Sequence, residues 1–199
     1  MSNWPISSSV RTLALPGGST YNTQMTGSTT TNAKGGWAQI TASSANDAYG
    51  LVVQLFPSVN LTRYLIDLGI GGAGVETVIV SNMHWAVGRS NVRIFRPLLI
   101  PLFIPAATRI SGRVQAAIAS DTANIQLQLL TPGMIPGPLC GRATTYGDVT
   151  ADSGGTAIDC GATANTKNTP VQLVASTTNP IKAMMICIGN DANAGEGTG

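Results

Sequence analysis

The strongest constraint on this chain is a two-residue alternation between positions 108 and 130. In TRISGRVQAAI, Ile110, Val114 and Ile118 fall on one side, with Gly112 and Ala116 between them. Arg109, Ser111, Arg113 and Gln115 fall on the other. NIQLQLL repeats the pattern, setting Ile125, Leu127 and Leu129 against Gln126 and Gln128. Successive side chains of a strand point to opposite faces, whereas a helix would space its apolar residues three and four apart. Both segments therefore read as strands with one buried face. Ile110, Val114, Ile118, Ile125, Leu127 and Leu129 are the expected core residues.

Other segments agree. WAQITA alternates, YGLVVQL is apolar on both faces, and RYLIDL and VETVIVS are rich in β-formers. Glycine and proline separate them, and no stretch carries a helical stripe. The prediction is an all-β fold, an antiparallel β-sandwich of jelly-roll type. Residues 1–31 read as an N-terminal arm with at most a strand or two. Residues 32–131 read as the sandwich. Residues 132–199 read as a Gly/Pro-rich loop and a partial second repeat, with strands near 170–175 and 181–188. That repeat is carried by NAKGGWAQITASSANDAYGLVVQL at 32–55 and NTKNTPVQLVASTTNPIKAMMICI at 165–188. Asn32, Lys34, Gln39, Ala42, Ser43 and Asn46 recur as Asn165, Lys167, Gln172, Ala175, Ser176 and Asn179 without a gap.

Composition narrows the partners. Only 10% of the 199 residues are charged and the net charge is +2, so no overall field draws the chain to nucleic acid. The start shows no basic front followed by an apolar run. The most apolar stretch, 97–107, is too short to span a bilayer and carries Pro97, Pro101 and Pro105. A soluble protein made in a cytoplasm is expected, without a membrane partner. Cys140, Cys160 and Cys187 are widely spaced and have no metal-ligand pattern, so they read as reduced thiols.

Motifs that could carry chemistry were weighed in turn. Gly69, Gly71 and Gly74 spell G-x-G-x-x-G, but VETVIVS follows where a dinucleotide site needs a helix. They read as a glycine-rich strand connection. His84, the sole histidine, has no nucleophile motif beside it and reads as a loop residue with a structural role. Asp67 and Glu76 are the only acids between Asp47 and Asp121. They are expected to form structural ion pairs with Arg109 and Arg113. Those arginines stand about 13 Å apart on one face at about 3.3 Å per residue, so one carboxylate cannot easily serve both. Arg89, Arg93 and Arg96 cluster in GRSNVRIFRP and read as an inter-subunit contact. No catalytic residue, cofactor site or metal site is assigned.

Two segments together carry a resemblance. YLIDLGIGGAGVETVIVSN (64–82) and LIPLFIPAATRISGRVQAA (99–117) resemble, in order and spacing, a β-rich domain of tailed-phage virion structural proteins of decoration (cement), neck or tail-fibre type. Asp67, Gly69, Gly74, Glu76, Ile104, Pro105, Ala106, Thr108, Arg109, Ile110 and Arg113 match in place, and WAQITAS fits upstream. Ala107 stands where glycine is usual. The resemblance covers about residues 32–131 and implies no catalytic residue. It implies a bacteriophage structural protein located in the virion and made in the host cytoplasm. Its partners would be copies of itself, as a trimer or lattice, and neighbouring virion proteins. The alternative is a carbohydrate- or receptor-binding module of a tail fibre, with Trp37, Trp85 and Asp47 as glycan contacts.

Overall fold

The structure, a computed structural model, describes residues 10–13, 23–57, 63–86, 97–131, 141–153, 155–159 and 161–186. Among the described residues ten strands form: β1 (Val10–Leu13), β2 (Thr23–Thr26), β3 (Ala38–Thr41), β4 (Gly50–Pro57), β5 (Arg63–Ile70), β6 (Thr77–Ala86), β7 (Leu98–Ile100), β8 (Ile110–Ala116), β9 (Thr122–Leu130) and β10 (Ala143–Thr144). No helix occurs among the described residues. The fold is an all-β sandwich of two sheets.

In the first sheet β9 is flanked on one side by β1 and β2 and on the other by β4, which pairs with β7. The second runs β10, β6, β5, β8, β3. Every pairing is antiparallel except the short β10–β6 contact. Four pairs nest like brackets along the chain: β5 with β6, β4 with β7, β3 with β8, and β2 with β9.

The alternation explains how the sheets face each other. Along β9, Ala123, Ile125, Leu127 and Leu129 are buried while Asn124, Gln126 and Gln128 are half-buried. They meet Leu51, Val53 and Leu55 of β4 and, across the sandwich, Tyr64, Ile66, Leu68, Ile110 and Val114. The central strands of the second sheet, β5 and β8, are covered on both faces. Leu65, Asp67 and Gly69 of β5 and Ser111 and Gln115 of β8 point away from the core yet are covered. Residues 32–35 extend the β3 edge along β8, through Asn32 N–H to the Ala116 carbonyl and Gly35 N–H to the Val114 carbonyl, each at 2.9 Å. Residues 145–152 then cross this outer face. They run from Thr145 N–H on the Ser81 carbonyl to Ala151 N–H on Asn32 Oδ1 and the Asp152 carbonyl on Arg63.

Three expectations need correction. Ile118 is not a core residue: β8 ends at Ala116 and Ile118 lies exposed in the turn to β9. His84 is not in a loop, because β6 continues through Asn82, whose positive φ of 52° makes a bulge rather than an end. No strand forms at 170–175 or at 181–186, since nothing among the described residues offers those segments a ladder; 187–188 lie outside the described residues. The described residues of the N-terminal stretch hold two strands, within the one or two expected, and β2 pairs with β9 and sends Met25 fully into the core.

Candidate functional site

The outer face of the second sheet joins Lys34, Asp67 and Arg113 in one network. In the β5–β8 register Asp67 stands directly opposite Arg113, and Arg113 Nε donates to Asp67 Oδ2 at 2.9 Å. Lys34 Nζ reaches over β8 to donate to Asp67 Oδ1 at 2.8 Å and to the Leu65 carbonyl at 3.2 Å. The bulge at Asn82 turns its backbone N–H to the same Oδ1, at 2.8 Å. Trp37 lies flat under the Arg113 guanidinium, 4.6 Å from the ring centroid, and presses on Gly69.

The electrostatics follow from one anion facing two cations under cover. Burial alone raises the Asp67 carboxyl, but the Asn82 N–H, Lys34 and Arg113 outweigh it and hold the group below its usual range. Burial lowers the Lys34 ammonium more than the bond and attraction to Asp67 raise it, and nearby Arg113 adds a lesser lowering. Lys34 is the more enclosed of the two cations.

A second tie closes the sheet's far end. Arg109 Nη1 donates to Glu76 Oε1 at 2.8 Å and to the Gly71 carbonyl at 3.1 Å, while Nε donates to Gln39 Oε1 at 3.0 Å. The bond from Arg109 holds Glu76 below its usual carboxyl range. The structure thus gives each arginine its own carboxylate. Lys34 and Trp37 were missed by sequence reasoning, although Lys34 is one of the six residues repeated 133 positions later.

The glycine motif forms the β5–β6 turn. Gly71 and Gly74 take φ of 113° and 82°, and a Cβ on Gly69 would sit 2.8 Å from the Trp37 ring. Residues 104–108 carry the chain from the first sheet to the second. They are clamped by Ser44, which accepts from Thr108 N–H and donates to the Pro105 carbonyl, and by Asp47, which accepts from Ala106 N–H. Ala107 sits there at a φ of 59°.

Chemically these groups hold rather than react. A carboxylate kept ionised by fixed cations is a poor proton acceptor, and Asp67 and Glu76 are both in that state. His84 Nδ1 faces Asp148 Oδ2 at 3.7 Å, in the middle of the crossing segment. The three residues considered for glycan contact do not share a face. Trp85 belongs to the core, Trp37 lies beneath Arg113, and Asp47 holds the 104–108 turn. Arg89, Arg93, Arg96 and the three cysteines lie outside the described residues. No helix among the described residues is long and apolar enough to cross a membrane.

No known family matches this sequence, and neither does any curated protein. Among solved structures the chain is similar to the infectious bursal disease virus VP2 subviral particle, at 17% identity and a TM-score of 0.33, over 63% of this chain and 33% of that one. It is also similar to the Gx strain of infectious bursal disease virus, at 16% identity and a TM-score of 0.30, over 66% of this chain and 35% of that one. The chain spans about a third of the length of these two viral proteins.

Proposed function

We propose that this chain is a virion structural protein, and more narrowly a capsid decoration (cement) or neck/tail component of a tailed phage. It acts by assembling with copies of itself, as a trimer or a lattice, and with neighbouring virion proteins. One observation carries the reading: apolar side chains stand exposed on the folded body while the ion-paired groups of the second sheet are held inward. Lys34, Asp67 and Arg113, and Arg109 with Glu76, are tied to one another in the outer layer of the second sheet. Meanwhile Val75, Leu99, Phe103, Ile118 and Val149 of the folded body stand exposed. Such a surface does little to keep copies apart and presents apolar groups to be covered.

The nested strand order supports jelly-roll winding, a double-sheet architecture that viral capsid domains use. Fold alone assigns no role, so the surface and the resemblance at 64–82 and 99–117 supply the rest. The sandwich, β1 and β2 included, would be the assembling unit, with Arg89, Arg93 and Arg96 at an inter-subunit contact. The test is to purify particles, quantify the chain by mass spectrometry and locate it by cryo-EM. Many symmetry-related copies are expected. Absence from intact particles contradicts the proposal.

A further inference from the structure

Residues 161–186 are exposed throughout and form no strand, yet their backbone is not arbitrary. Among the described residues only five that are not glycine have a positive φ, and two of them are Asn32 at 57° and Asn165 at 60°. These are the first pair of the sequence repeat. The turn before each is the same: Ala33 N–H bonds the Thr30 carbonyl at 3.3 Å, and Thr166 N–H bonds the Thr163 carbonyl at 3.4 Å. Side-chain identity and backbone conformation therefore agree at the same offset.

The first copy shows what this shape is for. Ile40, Leu51 and Val53 are no more than 7% exposed, packed between β8 and β9. Their counterparts Leu173, Met184 and Ile186 stand 53%, 73% and 68% exposed. Lys34 and Gln39 reach Asp67 and Arg109, and both recur as Lys167 and Gln172.

We infer that residues 162–186 are the opening unit of a second sandwich, and that its partner is a strand set of the β5–β8–β9 plan. That partner would carry an acid opposite Lys167 and an arginine opposite Gln172. It would present an apolar face to Leu173, Met184 and Ile186. Trp37 becomes Pro170, so the partner strand need not have glycine where β5 has Gly69. This inference is independent of any role in a virion.

The test is an exchange within the full chain: residues 29–53 are replaced by 162–186 with Gly35 and Ala48 kept, because a Cβ at 35 would meet the Thr26 carbonyl and Ala48 is fully buried, and with the same residues in shuffled order as control. The exchanged chain should melt cooperatively, about 10 °C below the parent, given the remaining core changes and the lost Trp37. Its transplanted amides should exchange about tenfold or more slowly than the same amides in the tail, as paired strands do. Lys167→Ala in the transplanted copy should lower its melting temperature further, while Lys167→Ala in the tail of the parent should not. A half exchange, 162–174 for 29–41 with Gly35 kept, makes the same demand with less disturbance. If both exchanges behave like the shuffled control, or if Lys167→Ala has no effect in the transplanted copy, the inference is overturned.

Discussion

The two sheets of this sandwich share a core but differ on their outer faces. On β9 the outward Asn124, Gln126 and Gln128 are half-buried and uncharged. On β5 and β8 the outward Asp67, Ser111 and Gln115 are buried, because Lys34, Trp37 and residues 145–152 form a further layer. A face open to water needs no partners for its polar groups; a covered one must supply them. On the second sheet the ion pairs therefore sit where the surface has been closed, and the difference can be probed one residue at a time.

The largest effect is expected in the shared core. Leu127→Ala should cost roughly 3–4 kcal/mol in urea denaturation, as buried leucine truncations do. Gln128→Ala, one residue along on the open face of the first sheet, should stay within about 0.5 kcal/mol. Equal costs would erase the one-sided character of that sheet.

On the second sheet an outward residue should matter almost as much as a core one. Asp67→Ala leaves two partly covered cations facing each other, and a cost of roughly 3 kcal/mol is expected, at the low end for a broken buried pair. The pH dependence has a definite sign. The carboxyl is held low in the folded chain, so its stabilisation is present above the ordinary value of 3.8 and is lost as pH falls through the folded value. Asp67→Asn should remove part of that acid loss. A variant whose acid unfolding matches the parent would show that the network contributes nothing.

Gly69→Ala tests the Trp37 layer. The new methyl would sit 2.8 Å from the indole, and overpacking of this kind costs about 2 kcal/mol. Trp37→Leu in the same chain should recover part of the loss, which a double-mutant cycle measures. Two independent, additive losses would mean that the ring does not press on β5.

The smallest effect lies in the crossing between the sheets. Ala107 takes a left-handed conformation that costs a non-glycine residue about 1–2 kcal/mol, partly offset by the freedom glycine has when unfolded. Ala107→Gly should therefore stabilise the chain by less than about 1 kcal/mol. A clear loss would show that the methyl packs.

The same contrast explains what could be read from the sequence. The alternation of Ile125, Leu127 and Leu129 with glutamines placed β9 and its buried face, because water on one side keeps the pattern legible. The pattern at Ile110 and Val114 also held, but the alternation ran on to Ile118, past the end of β8. Periodicity cannot tell a strand from the turn that continues its pattern. The arginines and acids of the second sheet were visible as groups in need of partners. Lys34 and Trp37 were not, because long-range cover leaves no local signature. The strands expected at 170–175 and 181–188 illustrate the limit most directly. Their composition matches 32–55, yet strand structure is a property of a pair, and the described residues hold no partner for them.

The central claim is that this chain works by assembling. Sedimentation velocity of the full chain over the micromolar range tests it most directly. The account predicts a trimer, three times the 20.4 kDa chain, or a larger closed assembly that persists on dilution. A single species at 20.4 kDa across the whole range would contradict it.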